Sequence, residues 1–115
     1  MRRLTTHVLD LSDGRPAAGV GLRVCRLDGG RSEVVATAVT NADGRCDRPL
    51  LSGEEFTAGP YEIQFDIGAY FARRPTKHGG FLDIVPIRFV ATAEVTHLHV
   101  PLLVAPFGYS TYRGS

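Results

Sequence analysis

Hydrophobic and polar residues alternate in short runs along this chain, as they do in half-buried β-strands. The clearest runs are residues 4–10, 20–25, 33–40, 61–66, 87–90 and 98–104. Turn-forming clusters separate them, including Asp28-Gly29-Gly30 and Asn41-Ala42-Asp43-Gly44, and Gly44 is expected to adopt a positive φ. Strand signals that recur roughly every ten residues predict a β-sandwich or a barrel.

Two segments depart from the simple strand pattern. Residues 66–74 carry helix-compatible side chains and are followed by Pro75, so they predict one short helix that ends there. Chain ends are usually polar and frayed, but residues 107–115 contain three aromatic residues and continue the alternation. We therefore expect a last strand in this terminal segment.

The alternation places the histidines on the strand face opposite the core, because residues i and i+2 of a strand share a face. The predicted core face consists of Leu4, Thr6 and Val8 in the first strand and of Leu98, Val100, Leu102 and Val104 in a late strand. The opposite face consists of Thr5, His7, Leu9, His97, His99, Pro101 and Leu103. This outer face is rather apolar for open solvent, so we expect it to meet another subunit.

Length and composition narrow the class of protein. At 115 residues the chain predicts a single domain, residues 1–115, and its 43% hydrophobic and 22% charged residues exclude wholesale disorder and a coiled coil. No apolar run approaches the roughly 18 residues of a membrane-spanning helix. A net charge of +1 argues against nucleic acid or a membrane surface as a partner. The N-terminus lacks the apolar stretch of a signal peptide, so a cytoplasmic protein is expected.

The candidate chemistry rests on imidazole and guanidinium groups. His7, His97 and His99 suit proton transfer near neutral pH, although histidines on a polar strand face often have no such role. The same three residues also permit a three-histidine metal site, but no separate carboxylate is visible to support one. Arg45 follows the Asp-Gly turn and suits a carbonyl-rich or anionic ligand, or else it is a solvated turn residue.

The two cysteines, Cys25 and Cys46, favour reduced thiols over a disulfide. Neither belongs to a CxxC motif, and neither has a histidine beside it in the sequence. The chain also contains no GxSxG, P-loop, GxGxxG or HExxH motif. From the residues alone, the histidines and Arg45 are therefore the principal candidates for chemistry.

Five segments resemble the 5-hydroxyisourate hydrolases, the transthyretin-like enzymes of urate breakdown in purine metabolism. They are LTTHVLD at 4–10, GRPA at 14–17, TNADGR at 40–45, HLHVPLL at 97–103 and YSTYRGS at 109–115. The terminal Tyr-Arg-Gly-Ser is the most specific piece, because it separates these hydrolases from transthyretin, the hormone carrier with the same fold. The resemblance implies an eight-stranded transthyretin-like (prealbumin-like) β-sandwich with one short helix.

The resemblance also implies a site and an assembly. The family's catalytic residues fall on His7, Arg45 and His99, where the strand pattern alone had left His97 and His99 equivalent. The expected substrate-binding residues are Ser110, Tyr112, Arg113, Gly114 and Ser115. The expected protein is a homotetramer with active sites at the dimer–dimer interface, and it needs no metal or organic cofactor.

The expected reaction is hydrolysis of 5-hydroxyisourate to 2-oxo-4-hydroxy-4-carboxy-5-ureidoimidazoline. It would proceed by histidine-assisted attack of water on the ring amide, with Arg45 stabilising the developing charge. The alternative left open by the shared fold is a transthyretin-like carrier that binds a small molecule without turning it over.

Overall fold

Two β-sheets packed face to face form the body of the protein. The structure is a computed structural model, and it describes residues 1–74 and 80–114. The strands within this part are β1 (Arg3–Asp10), β2 (Arg15–Pro16), β3 (Gly21–Asp28), β4 (Arg31–Val39), β5 (Leu51–Ser52), β6 (Gly59–Asp66), β7 (Ile84–Ala91), β8 (His97–Ala105) and β9 (Gly108–Thr111). The predicted β-sandwich is confirmed, and β2 and β5, each of two residues, are the pieces that the alternation did not predict.

The order of the strands brings the two ends of the chain together. The first sheet runs β2-β1-β8-β9, with β5 also paired to β1, and the second runs β4-β3-β6-β7. Most neighbours are antiparallel, but β1 and β8 are parallel and pair along their whole length, from Arg3 opposite His97 to Asp10 opposite Val104. The two histidine-bearing strands are therefore adjacent in the middle of one sheet.

The core lies between the sheets and contains the side chains that the alternation assigned to it. Every residue of the predicted core face of β1 and β8 is buried: Leu4, Thr6, Val8, Leu98, Val100, Leu102 and Val104. Tyr61, Ile63 and Phe65 of β6 are fully buried against them from the second sheet. On the outer face, Thr5, His7 and His99 are only half-buried. The histidines thus project away from the core, as predicted.

The turn between β3 and β4 follows its sequence signal. Asp28 pairs with Arg31, so the loop consists of Gly29 and Gly30, whose φ angles are 56° and 88°. Two successive positive φ angles are typical of the tight hairpin turn whose twist suits the flanking strands. Farther along this pair, a β-bulge lies between Val24 and Cys25. Cys25 is buried, and neither it nor Cys46 forms a disulfide.

The short helix is present but smaller than the segment that predicted it. Helix α1 spans Ile67–Ala72, and the side chain of Asp66 accepts a hydrogen bond from the backbone N–H of Ala69 at its start. Arg73 and Arg74 follow the helix, and Pro75, the expected terminator, lies outside the described residues. No helix in residues 1–74 or 80–114 has the length and hydrophobicity needed to cross a membrane.

A buried carboxylate ties α1 to the end of β1. Asp10 Oδ2 accepts a hydrogen bond of 2.7 Å from the Tyr70 hydroxyl, and Asp10 Oδ1 accepts bonds from the backbone N–H groups of Ser12 and Asp13 and from the Ser12 hydroxyl. Burial alone raises the pKa of Asp10, but these hydrogen bonds outweigh it and hold the pKa below its ordinary value. The end of β1 is therefore firmly held.

Candidate active site

The parallel pairing of β1 and β8 brings three imidazoles onto one outer face. Thr5 is opposite His99, Arg3 is opposite His97, and His7 is opposite Pro101. His7 is two residues beyond Thr5 on the same face of β1, so it is the diagonal neighbour of His99. The ring centroids of His97 and His99 are 6.3 Å apart.

A single hydroxyl joins two of these histidines. Thr5 Oγ1 is 2.8 Å from His97 Nε2 and 2.8 Å from His99 Nδ1. Both distances are those of good hydrogen bonds. One nitrogen of each ring is therefore engaged by Thr5, and the other nitrogen of His99 remains for chemistry.

The turn after β4 positions Arg45 beside β1. Asn41 organises this turn, since its side-chain oxygen accepts hydrogen bonds from the backbone N–H groups of Asp43 and Arg45. The carbonyl of Gly44 then accepts a bond of 2.8 Å from the backbone N–H of Val8. Gly44 has a φ of 74°, and a Cβ added there would lie 2.4 Å from the carbonyl oxygen of Val8. Only glycine allows the turn to approach β1 this closely, which brings Arg45 next to His7.

We expect Gly44→Ala to destabilise the fold more than Gly14→Ala. Both glycines have similar positive φ values, 74° and 69°, so both variants carry the strain of a left-handed alanine, about 1–3 kcal/mol. Only Gly44 also meets the backbone of β1, whereas nothing lies within 4 Å of a Cβ at Gly14. Urea unfolding of both variants measures the difference in the free energy of unfolding. Equal losses would show that the contact between the turn and β1 contributes nothing.

The C-terminal segment packs directly against His99. Beyond β9, the backbone N–H of Gly114 donates a 2.9 Å hydrogen bond to the carbonyl of His99. A Cβ added to Gly114 would lie 2.5 Å from His99 Cδ2 and 3.0 Å from both Cβ and Cγ of that residue. The glycine of the terminal motif therefore leaves room for the imidazole ring and limits where the ring can lie.

These elements enclose an open cleft of about 510 Å³ on the outer face of the first sheet. Its lining residues are Arg3, Thr5, Thr6, Arg45, Cys46, Asp47, Arg48, Pro49, His97, His99, Tyr112 and Gly114. Three guanidinium groups and two imidazoles face a single carboxylate in this set. The cleft is therefore suited to a polar ligand that is rich in carbonyl groups or negatively charged.

The surroundings favour the neutral forms of His99 and His7. Burial, then the charge of Arg45, lower the pKa of His99, and His97 and His7 add to the effect. Burial and Arg45 also lower the pKa of His7, although the backbone and carboxylate of Asp43 oppose this. Burial, and then the charge of Asp47, raise the pKa of the Cys46 thiol, so it stays protonated at neutral pH.

Comparison with known proteins shows the family to which this chain belongs. The model of the HIUase/Transthyretin family matches residues 4–114, which is nearly the whole chain. The chain belongs to the HIUase/Transthyretin family. The family resemblance predicted from the five sequence segments is confirmed, and the fold agrees with it.

Two 5-hydroxyisourate hydrolases are similar to this chain over almost their full length. The 5-hydroxyisourate hydrolase of Mesorhizobium japonicum is 56% identical over 98% of this chain and 92% of its own. The structure of the Klebsiella pneumoniae 5-hydroxyisourate hydrolase superposes with a TM-score of 0.84 at 40% identity and covers all of both chains. An (S)-allantoin synthase superposes with a TM-score of 0.91 at 45% identity, but this chain spans only 44% of that longer protein.

The structure brings together in the cleft four of the eight site residues expected from the family. Arg45, His99, Tyr112 and Gly114 line the cleft. His7 does not line it, but lies close enough for its pKa to respond to Arg45.

The other three expected residues have different positions. Ser110 is opposite Leu103, farther along the same sheet face, and is exposed. Arg113 lines an apolar groove between β7 and β8 that adjoins the cleft, since His99 and Tyr112 line both. Ser115 lies outside the described residues.

Several residues of the cleft were not predicted as site residues. Thr5 appeared in the alternation only as a neighbour of His7, although a hydroxyl on a face with histidines was the available signal. Residues 46–48 and Arg3 enter the cleft through contacts between distant segments, which no local pattern reveals. In residues 1–74 and 80–114 no group of three or more His, Cys, Asp or Glu side chains is arranged to hold a metal ion.

Proposed function

We propose that this chain catalyses the hydrolysis of 5-hydroxyisourate to 2-oxo-4-hydroxy-4-carboxy-5-ureidoimidazoline, a step of urate breakdown. The observation that carries the proposal is the shared cleft of Arg45 and His99, with Gly114 of the terminal motif packed on the His99 ring. Relatives with closely similar sequences bear the name 5-hydroxyisourate hydrolase. The cleft supplies both of the groups that attack of water on an amide requires, a base and a cation.

His99 is the proposed general base. Thr5 engages its Nδ1, so Nε2 is the nitrogen that can take a proton from water. The water oxygen then forms a bond to the ring carbonyl carbon C6, and the C6–N1 amide bond breaks. The leaving N1 receives the proton from His99, and the new carboxyl group loses its proton to solvent. His7 is assigned a supporting role, because it lies beside Arg45 but does not line the cleft.

Arg45 is the proposed electrostatic group. Its guanidinium stays charged at all relevant pH values, and its fork of N–H donors can hold both a carbonyl of the ring and the oxyanion that develops on C6. Arg45 also lowers the pKa of both His7 and His99. Together with burial, which is the larger cause, it favours the unprotonated form of the base.

Arg45→Gln is expected to raise the pKa of His99 and of His7 toward the ordinary value of 6.5. The sign follows from the loss of a positive charge that disfavours the protonated imidazole. Titration of the histidine resonances by NMR measures both values without needing activity. Arg23→Gln, on the second sheet with its guanidinium bonded to Gln64, is the matched control and should leave them unchanged. A His99 pKa that does not move in Arg45→Gln would contradict this electrostatic role.

We further propose a homotetramer in which active sites form where two dimers meet. Two edge strands, β7 and β9, end their sheets, and Arg113 lies in the apolar groove beside β7. Unpaired edges are natural places for strands of a second copy to add. The outer face around the histidines also carries the half-buried Leu9 and Leu103. Contact between two such faces would close the open cleft.

Dilution tests the assembly. We expect light scattering to give the mass of four chains and specific activity to fall when dilution dissociates them. The reason is that an isolated subunit leaves the cleft open to water. A fully active monomer would contradict the proposed assembly.

Product analysis in water labelled with heavy oxygen tests the proposed reaction. The expected product is the ring-opened acid with one labelled oxygen in its carboxylate, formed faster than in protein-free buffer. Substrate that is bound but recovered unchanged would instead indicate the carrier function of transthyretin. Label at any other position would contradict attack of water at C6.

A further inference from the structure

The hydroxyl of Thr5 has two imidazole partners but only one proton. His97 Nε2 and His99 Nδ1 are each 2.8 Å from Thr5 Oγ1. A threonine hydroxyl donates one hydrogen bond and accepts two, and a neutral imidazole has one N–H and one bare nitrogen. Thr5 therefore cannot donate to both rings, so at least one of the two facing nitrogens must carry a proton.

The consequence is that the protonation of one ring constrains the other. If Thr5 donates to His97, then His99 must donate from Nδ1, and His99 Nε2 is left bare. If Thr5 donates to His99, then His97 must donate from Nε2, and the proton of a neutral His99 lies on Nε2, where it would prevent that nitrogen from acting as a base. If both rings donate to Thr5, which can accept two bonds, His99 Nε2 is again bare, but the proton of a neutral His97 then lies on Nε2. His99 is therefore a general base toward the cleft only where it donates from Nδ1 to Thr5.

We propose that Thr5 and His97 are positioning residues that fix His99 in its Nδ1–H tautomer, with Thr5 donating to His97 Nε2 and accepting from His99 Nδ1. The catalytic consequence rests on the proposed hydrolase function, whereas the hydrogen-bond arrangement does not. Neither residue needs to touch the substrate for this role. The general precedent is that the hydrogen bond made by one imidazole nitrogen selects the state of the other.

The surrounding structure holds the three side chains in place. Thr5 is opposite His99 in the parallel pair, and its neighbours Leu4 and Leu98 are anchored in the core. The backbone N–H of Gly114 donates to the His99 carbonyl, and Gly114 packs against the His99 ring. Both hydrogen bonds are partly buried, so competition from water is reduced. An ordered network of this kind can maintain one tautomer.

The charged groups around His99 favour a neutral ring without selecting its tautomer. Arg45, His97 and His7 act on it electrostatically. Arg3, Arg48 and Asp47 line the same cleft from β1 and from the segment before β5. Burial, and after it the charge of Arg45, lower the pKa of the ring and so favour its neutral form. Among residues 1–74 and 80–114, Thr5 is the hydrogen-bond partner of the His99 ring, and the choice between Nδ1 and Nε2 falls to it.

NMR of the imidazole nitrogens tests the arrangement directly on the full chain. In wild type at a pH where both rings are neutral, we expect a proton on His99 Nδ1 and on His97 Nδ1, with both Nε2 nitrogens bare. Thr5→Val, which keeps the side-chain shape, should shift His99 toward the Nε2–H tautomer, and Thr5→Ser should retain the wild-type pattern. Thr37→Val, an exposed position on β4, is the control. A wild-type proton on either Nε2, or a pattern unchanged in Thr5→Val, would overturn the proposal.

The kcat and KM of the Thr5 variants provide a second test of the proposal. If the tautomer governs the base, Thr5→Val should lower kcat by about tenfold or more and leave KM nearly unchanged, since a correctly placed base contributes roughly 10²–10⁴-fold. Thr5→Ser should restore most of the lost rate. A pure packing defect would not be rescued by serine, which lacks the methyl group. If wild type proves inactive, the hydrolase function fails while the NMR result still decides the hydrogen-bond arrangement.

Discussion

His99→Gln is expected to lower kcat for 5-hydroxyisourate hydrolysis by roughly 10²–10⁴-fold, which is the usual contribution of a positioned general base. Glutamine retains hydrogen-bonding capacity but cannot take a proton at neutral pH. The effect on KM should be small, because the guanidinium groups of the cleft remain to bind the ring. Single-turnover rates with 5-hydroxyisourate generated from urate measure the chemical step.

The comparison with His7→Gln makes this prediction specific. His7 lies outside the cleft lining, so its loss should reduce kcat less than loss of His99. Arg23→Gln on the second sheet serves as a control for substitutions remote from the cleft. If His7→Gln abolishes turnover while His99→Gln retains it, the base has been assigned to the wrong imidazole.

Gly114→Ala is expected to produce the second large effect, about a 10²-fold loss of kcat with little loss of stability. The added methyl group would meet the His99 ring at 2.5 Å from Cδ2, so the ring must move. A misplacement of about 1 Å at a reacting group can cost on the order of 10²-fold in rate. Gly114 does not have a positive φ, so backbone strain does not contribute.

Gly21→Ala is the matched control for Gly114→Ala. Gly21 also lacks a positive φ, and nothing lies within 4 Å of a Cβ built there. We expect wild-type kcat for Gly21→Ala and an unchanged thermal midpoint for both variants to within a few degrees. Wild-type turnover by Gly114→Ala would mean that the terminal segment does not position the ring.

The faces of the strands were predictable because they follow from local alternation. The period of two placed Leu98 and Val100 in the core and His97 and His99 outside it, and burial confirms both assignments. The same alternation could not show that β1 lies beside β8, since that pairing joins segments about ninety residues apart in sequence. It also left His97 and His99 equivalent, and the structure distinguishes them by the nitrogen that each presents to Thr5 and by the packing of Gly114 on His99.

The parts of the site that escaped prediction depend on distances between segments. Gly44 was expected to have a positive φ, and it does, but its close approach to Val8 required the packing of the turn on β1. The role of Gly114 is likewise a contact with His99, which lies on another strand. The terminal motif could be recognised by resemblance, whereas the reason for its glycine could be found only in three dimensions.

The decay of 5-hydroxyisourate with and without the protein shows whether the cleft around His99 hydrolyses this compound. Urate is oxidised in situ, and the absorbance of 5-hydroxyisourate is followed after addition of wild type or of His99→Gln at equal concentration. The account predicts a decay rate proportional to wild-type concentration and a rate close to that of buffer for His99→Gln. Equal decay with wild type and with buffer would contradict it.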